Sequence, residues 1–283
     1  MKRLLSYITV MCALAGCGPK SQTTTDSAVL TVSIEPQRKM LEELAGDRYR
    51  VVTLLVQGAD PENYEPTMTQ RVDLSRSAAL FTVGHLPFED VLARSVGEGT
   101  MVVDTSEGVE VLTGTHSHGH GEGHDEADPH VWTSLRNGKT IAANMLDALV
   151  RLDPENAGEY RERYENMAAR LDSIDRVLVA RFEGSGDRAF AIWHPSLSYF
   201  ARDYGLHQIA VGQENREVSA SRIKEIISEA RADSVKVFFA QQAYDTRQAS
   251  TISEEMGAGL VTVDPLAYDW ESEIIHAADA LTH

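Results

Sequence analysis

The chain has almost no cysteine. It holds two in 283 residues, Cys12 and Cys17, and both lie close to the first residue. Cys12 falls inside a short apolar run, and we expect Cys17 to be blocked by modification. The remaining chain therefore has neither a free thiol nor a disulfide to stabilise it. Its stability has to come from the burial of an apolar core, for which about 255 residues are enough to build one large or two modest domains.

The chain is also poor in positive charge. Lysine and arginine number 26 against 43 aspartates and glutamates, which gives a formal net charge of −17. An anionic surface of this size argues against a nucleic-acid partner and favours the attraction of cations. Solubility alone would account for much of the same excess of acidic residues.

The N-terminal apolar run is too short to span a membrane. It extends from Leu4 to Ala15, behind Lys2 and Arg3, and a polar stretch follows it. With the sequence Leu-Ala-Gly-Cys ending at Cys17, it resembles a bacterial lipoprotein signal. We expect residues 1–16 to be removed, Cys17 to be lipidated and residues 17–27 to form a tether. An ordinary secretory signal is the alternative. The lipoprotein reading implies an exported protein held at a membrane surface, periplasmic or on the cell-surface side, by acyl chains.

Histidine, in contrast, is concentrated in one place. Five of the ten histidines lie between residues 115 and 132, interleaved with glycine and carboxylates; they are His116, His118, His120, His124 and His130. Imidazoles and carboxylates held close together are good ligands for divalent transition metals. The composition predicts contact with metal ions in a loop at 115–128, although a solvated surface loop would look similar.

Apolar runs of strand length alternate with helical patterns along the chain. This rhythm predicts an α/β fold with two similar parallel-sheet lobes, at 28–152 and 185–283. Between them, apolar residues recur at alternating four- and three-residue steps from Tyr160 to Phe182. That stripe predicts one long helix over 153–184, with Asp153 as its N-cap. We expect it to act as a spine between rather rigid lobes separated by a cleft.

Several candidate ligands follow directly after predicted strands. These residues are Glu62, His85, His194 and Asp264, and His130 lies in the loop before the last helix of the first lobe. Ligands of open α/β sheets bind at the carboxyl ends of the strands, so the loops of two facing lobes would converge across a cleft. Each residue also has an ordinary structural role open to it, such as a turn or a cap.

Four segments resemble one known family, the metal-binding lipoproteins of bacterial zinc and manganese ABC importers, known as cluster A-I substrate-binding proteins. The segments are Gly58–Pro66, Asp128–Trp132, Trp193–Phe200 and Val263–Leu266. The resemblance covers essentially the whole mature chain. It implies two α/β lobes joined by a long helix with a metal between them, and it matches His130, His194 and Asp264 to ligand positions.

The chain departs from the family at residue 62, where the usual histidine is replaced by glutamate. If Glu62 binds, two histidines and two carboxylates favour manganese or iron. If His85 binds instead, three histidines and one carboxylate favour zinc. The histidine-rich loop resembles that of zinc-specific members, which leads us to expect Zn²⁺, with Mn²⁺ as the alternative, and to expect His85→Ala to lose more affinity than Glu62→Ala.

The sequence thus predicts a monomeric, lipid-anchored zinc-binding protein that delivers the ion to an ABC permease and catalyses no reaction. In this interpretation the residues His116 to His124 bind additional ions weakly. A metal-dependent hydrolase is one alternative, although the chain has no His-Glu-x-x-His helix. A metal-buffering surface lipoprotein without a transport partner is another.

Overall fold

A computed structural model describes residues 28–113, 127–184, 189–212, 218–241 and 246–282. It contains two four-stranded parallel sheets. The strands of the first are β1 (Val29–Val32), β2 (Arg50–Thr53), β3 (Ala79–Thr82) and β4 (Met101–Asp104). Those of the second are β5 (Ala189–Ile192), β6 (His207–Ala210), β7 (Val237–Gln241) and β8 (Gly259–Val263). The strand orders are β2-β1-β3-β4 and β6-β5-β7-β8, so the two lobes share one topology. This confirms the predicted fold class.

Helices connect the strands and cover the sheets. Their bounds are α1 Glu35–Ala45, α2 Met68–Leu74, α3 Pro87–Ser95, α4 Leu135–Leu152, α5 Ala157–Glu183, α6 Ser198–Tyr204, α7 Ala220–Ala232, α8 Thr246–Met256 and α9 Trp270–Thr282. Short 3-10 turns lie at Gly46–Arg48, Pro61–Asn63, Val131–Thr133 and Pro154–Asn156. Among the residues described, no helix is both long and apolar enough to cross a membrane.

The central strands are buried along almost their whole length, and in β1 only Val29 is partly exposed. Every residue of β3, β5 and β7 is buried, because helices cover both faces of each sheet. This explains why these strands are nearly continuous apolar runs instead of alternating ones. The edge strand β8 is exposed over most of its length, with only Val263 buried.

Helix α5 is the predicted spine. It has 27 residues, which corresponds to about 40 Å at ~1.5 Å per residue. The predicted stripe faces the core, with Tyr160, Met167, Leu171, Leu178 and Phe182 all buried.

The start of the spine differs from the prediction. The first turn, Pro154–Asn156, is a 3-10 turn, and the Asp153 side chain caps no backbone N–H group. Its carboxylate instead accepts hydrogen bonds from the side chains of Asn156, at 2.7 Å, and Tyr160, at 2.7 Å. The Asp153 carboxylate therefore binds nearby side-chain donors and not the backbone N–H groups that an N-cap residue would bind.

One apolar core runs through both lobes and the spine. Midway along the spine, Arg170 forms a bidentate ion pair with Glu43 of α1, at 2.8 Å for both contacts, and another with Glu271 of α9, at 3.0 Å. Each lobe is therefore fastened to the same point of α5. Such an arrangement restricts relative movement of the lobes and keeps the carboxyl ends of their sheets facing each other.

Candidate metal centre

Three potential metal ligands from the two lobes meet between the sheets. Glu62 lies in the 3-10 turn that follows β2, His130 directly precedes the 3-10 turn at Val131–Thr133, and His194 comes two residues after β5. Among the described residues, these three form the group whose ligand atoms all lie within 4.8 Å of one another. His130 and His194 are buried, and the Glu62 side chain is 12% exposed.

The distances suit a small divalent ion. The Nε2 atoms of His130 and His194 are 3.3 Å apart, and Glu62 Oε1 lies 3.4 Å from His194 Nε2 and 3.8 Å from His130 Nε2. Donor atoms around a tetrahedral zinc ion with bonds of ~2.0–2.1 Å lie about 3.3–3.4 Å apart. The triangle of donor atoms therefore matches one face of a zinc coordination tetrahedron to within a few tenths of an ångström.

His130 is oriented by the completely buried Asp128. One oxygen of that carboxylate accepts from the backbone N–H of His130 and from its Nδ1, both at 2.9 Å. Since a carboxylate can only accept, Nδ1 carries the hydrogen and the Nε2 lone pair points into the site. Burial lowers the pKa of His130, although the hydrogen bond to Asp128 opposes this. The ring is thus kept neutral and ready to bind a metal.

His194 is fixed through its backbone. The side chain of Gln241, the last residue of β7, accepts from His194 N at 3.3 Å and donates to His194 O at 2.7 Å. Its amide nitrogen also donates to Ser196 Oγ, at 2.8 Å. Gln241 therefore closes a bridge between the ends of adjacent strands β5 and β7 and sets the position of the histidine between them.

Glu62 is held by the turn on which it lies. Asp60 Oδ1 accepts from the backbone N–H of Glu62 at 3.0 Å, and its Oδ2 accepts from Asn63 at 2.8 Å. The phenol ring of Tyr64 packs edge-on against Phe88, with the centroids 5.3 Å apart, and its hydroxyl donates to Leu54 O. These contacts anchor both ends of the turn, so Glu62 is presented to the cleft by an ordered loop.

A cavity of about 690 Å³ adjoins the three side chains. Asp264 lies in its wall together with His130 and His194, but it is not part of the close group. Its Oδ1 accepts from Leu266 N at 3.1 Å, which closes a tight turn after β8. The structure therefore brings Asp264 to the rim of the site, and its carboxylate lies outside the triangle formed by the other three.

His85 occupies a different position. Gly84 before it has a φ of +102°, and a Cβ there would lie 2.5 Å from both Asp104 Oδ1 and Ser106 Oγ. The chain thus turns tightly against the end of β4, and His85 Nε2 is 3.5 Å from Ser106 Oγ. The structure brings Glu62, and not His85, beside the two buried histidines.

The other predicted site residues lie outside the described part of the chain. They are Cys17, His116, His118, His120 and His124. The structure does describe the two ends of the histidine-rich loop, where Thr113 and Ala127 form an antiparallel bridge and Asp128 N donates to Leu112 O at 2.8 Å. The loop therefore starts and ends at one point, directly beside the residue that orients His130.

Supporting residues were missed by reasoning from the sequence. Asp128 could have been recognised, because an aspartate two residues before another residue often accepts from that residue's backbone N–H. Asp60 carries the same signal before Glu62. Gln241 could not be recognised, since its role depends on β5 and β7 being neighbours, which no local pattern reports.

A family model described as zinc-uptake complex component A, periplasmic, matches residues 30–281, which is nearly the whole chain. The chain belongs to this family. Its members are components of a transport system and not a family of enzymes, and they act outside the cytoplasm.

Individual relatives agree with this assignment. The chain is 24% identical to a putative metal-binding protein of Treponema pallidum, over 91% of this chain and 84% of that one. It is 24% identical to the zinc-binding lipoprotein AdcA of Streptococcus pneumoniae over 94% of this chain, and it spans only 56% of that protein's length. A crystal structure of ZnuA superposes with a TM-score of 0.82 and 32% identity, covering 91% of this chain and 98% of that one.

The candidate site of this chain combines three closely spaced donor atoms with a wide neighbouring cavity. On the side of the His130 ring away from the other donors, Asp128 accepts from Nδ1 at 2.9 Å. The cavity wall is acidic, with Glu35, Asp60 and Asp264 against a single arginine, Arg38, that is already paired with Glu35 and Glu42. Such a wall favours the entry of a cation over that of an anion.

Proposed function

We propose that this protein is the substrate-binding component of a zinc importer, which captures the ion outside the inner membrane and delivers it to an ABC permease. The supporting observation is the donor triangle of Glu62, His130 and His194 at 3.3, 3.4 and 3.8 Å. Two imidazoles and a carboxylate are a good donor set for zinc. The chain binds and releases the ion as cargo and catalyses no covalent reaction.

Asp264 is the fourth ligand in this proposal. It lies in the wall of the same cavity, on the turn that follows β8, so a movement of that turn towards the three donors would bring its second carboxylate oxygen to the ion. The resulting set of two histidines and two carboxylates would surround the ion completely. A closed, four-coordinate site suits a carrier, because an open position would leave a reactive metal-bound water.

We further propose that Cys17 carries the lipid, that residues 17–27 tether a monomeric body to the membrane, and that His116, His118, His120 and His124 bind additional zinc weakly. The short apolar run and the Leu-Ala-Gly-Cys sequence support the anchor. The closed base at Thr113 and Ala127 supports an auxiliary role for the loop, because removing the loop would leave the two ends joined.

Titration calorimetry with a competing chelator tests the proposal. One tight zinc site is expected in the wild-type protein, and His194→Ala should abolish it, while His207→Ala should not change it. His207 is a suitable control because it is exposed and pairs with Asp233. Tight zinc binding that survives His194→Ala would overturn the proposed site, and metal-dependent hydrolysis lost in His194→Ala would show an enzyme instead.

Manganese is the second candidate, and Glu62 is the observation that favours it. Carboxylate oxygen is a harder donor than the imidazole usual at this position of the family, and harder donors suit Mn²⁺. Competition between zinc and manganese for the purified protein distinguishes the two. Because the Irving–Williams order places zinc well above manganese, zinc is expected to win. Preferential retention of manganese from a mixture would reassign the cargo.

A further inference from the structure

The lobe that carries His130 touches the Asp264 turn through one buried tryptophan. Trp132 is 1% exposed, and its ring packs against His130 with centroids 5.2 Å apart. Its indole N–H crosses between the lobes and donates to the carbonyl oxygen of Pro265 at 2.7 Å. The residue therefore contacts one metal ligand directly and the neighbour of another across the cleft.

Three further hydrogen bonds hold the Asp264 turn within its own lobe. Its internal bonds run from Leu266 N to Asp264 Oδ1, at 3.1 Å, and from Ala267 N to Asp264 O, at 3.0 Å. Glu273 of α9 accepts from Asp264 N at 3.0 Å. These three bonds lie within the second lobe and cannot set the distance between the turn and His130. The bond from Trp132 can, because its donor and acceptor belong to different lobes. Directly after the turn, Tyr268 donates to Glu42 at 2.8 Å and Asp269 pairs with Lys39, both in the first lobe, but the bond from Trp132 ends on the turn itself, beside Asp264.

We propose that Trp132 is a positioning residue that places Asp264 at the metal by holding the Pro265 carbonyl across the cleft. This inference rests on the proposed function and adds to it the element that joins the two halves of the ligand set. When the indole N–H is lost, His130 and Glu62 keep their places in the first lobe, while the Asp264 turn loses the bond that ends on it and is then tied to the first lobe through Tyr268 and Asp269 further along the chain. The metal then loses its fourth ligand for part of the time.

The chain supplies a matched control in Trp270. This residue is 2% exposed, lines the same small apolar space between the lobes as Trp132 and Pro265, and packs against Gly138 of the first lobe. Its Nε1 makes no hydrogen bond within the described part of the chain. Trp132→Phe and Trp270→Phe thus remove equal volumes from one interface, but only the first removes a hydrogen bond.

Zinc affinities of Trp132→Phe, Trp270→Phe, Asp264→Ala and the double variant Trp132→Phe/Asp264→Ala test the proposal. Loss of one neutral hydrogen bond should lower the affinity of Trp132→Phe about fivefold, whereas Trp270→Phe should stay within about twofold of wild type. In the Asp264→Ala background, Trp132→Phe should have no further effect, because it acts through Asp264. A general loosening of the fold would lower the affinity equally in both backgrounds.

Equal effects of the two tryptophan variants, or an undiminished effect of Trp132→Phe in the Asp264→Ala background, would overturn the positioning role. Wild-type zinc affinity in Asp264→Ala would also contradict the positioning role of Trp132. It would not contradict the zinc site formed by the other three residues, which His194→Ala tests separately. If Trp132→Phe does not fold, site-specific replacement of Trp132 by benzothienylalanine takes its place, since this residue keeps the bicyclic ring and lacks only the N–H group; the same replacement at Trp270 is its control.

Discussion

Two loops of the first lobe each carry a candidate metal ligand, Glu62 after β2 and His85 after β3. Their side chains have different neighbours. The β2 loop places Glu62 3.4 Å from His194 of the other lobe. The β3 loop turns His85 against the end of β4, beside Ser106. Histidine is the better zinc ligand of the two residue types, yet glutamate is the one that lies beside the two buried histidines. The comparison shows that the order of strands in the sheet decides which of the two side chains lies near His130 and His194.

The largest expected difference between the loops is in zinc affinity. Mutation of a residue that only supports a metal ligand usually lowers metal affinity by about 10–100-fold, so removal of a ligand itself should lower it by about 100-fold or more. Glu62→Ala is therefore expected to lose at least that much, and His85→Ala to remain within about threefold of wild type. Chelator-competition calorimetry on both variants measures the difference. The reverse ranking would restore His85 as the ligand.

The β3 loop should instead matter for stability, through Glu89. This carboxylate is buried and accepts from Ser33 Oγ and from the backbone N–H groups of Val83, at 2.6 Å, Gly84, at 2.9 Å, and Leu86, at 3.3 Å. In Glu89→Gln the new NH₂ group would face at least one of these donors. We expect a loss of about 1–3 kcal/mol in the free energy of unfolding.

Chemical denaturation of the metal-free protein measures this loss. Asp90→Asn is the control, because its side chain is adjacent and 79% exposed. Glu89→Gln should leave zinc affinity nearly unchanged, in contrast to Glu62→Ala. Equal stability of the Glu89→Gln and Asp90→Asn proteins would contradict the structural role of this loop.

The contribution of Glu89 to the free energy of unfolding should depend on pH. Burial raises the pKa of Glu89 to about 7, against the lowering effect of its hydrogen bonds. The native state therefore holds a proton that the unfolded state releases above its ordinary pKa of about 4.5. The contribution of Glu89 is fully present below about pH 4.5 and is lost as the pH rises through about 7. The stability of the wild type relative to Glu89→Gln should therefore fall as the pH rises, so the loss in Glu89→Gln is expected nearly in full at about pH 5 and becomes smaller above about pH 7.

A smaller effect is expected from Asp60, which caps the turn that presents Glu62. Loss of such a cap costs about 1 kcal/mol, so Asp60→Ala should weaken zinc binding about fivefold. Asp47→Ala removes the same charge from the exposed 3-10 turn at Gly46–Arg48 and controls for the general electrostatic effect. If the two variants weaken binding equally, Asp60 acts by charge and not by holding the turn.

Local patterns predicted most of the fold because the signals are local. Apolar runs located the strands, and the stripe from Tyr160 to Phe182 located the spine. The strand ends then led to Glu62 and His194, and the histidine-rich stretch led to His130. The choice between Glu62 and His85 could not be predicted in this way, since it depends on β2 and β3 lying on opposite sides of β1. Strand order is set by long-range packing, which residue spacing does not report.

The contacts that support the candidate ligands are likewise either local in sequence or long-range. Asp128 acts on a residue two positions away and could be read from the sequence, whereas Gln241 and Trp132 act on residues 47 and 133 positions distant. Asp264 became a candidate ligand through its position after a predicted strand and through the family resemblance, and the structure adds its place in the cavity wall and the contacts that hold its turn.

X-ray absorption at the zinc edge of protein loaded with one equivalent of zinc tests the central claim most directly, since it counts the imidazoles around the ion. The structure predicts two imidazoles, from His130 and His194, with the remaining ligands being oxygen, and His85→Ala should give an unchanged spectrum. Three imidazoles in the wild-type protein, falling to two in His85→Ala, would contradict the Glu62 site.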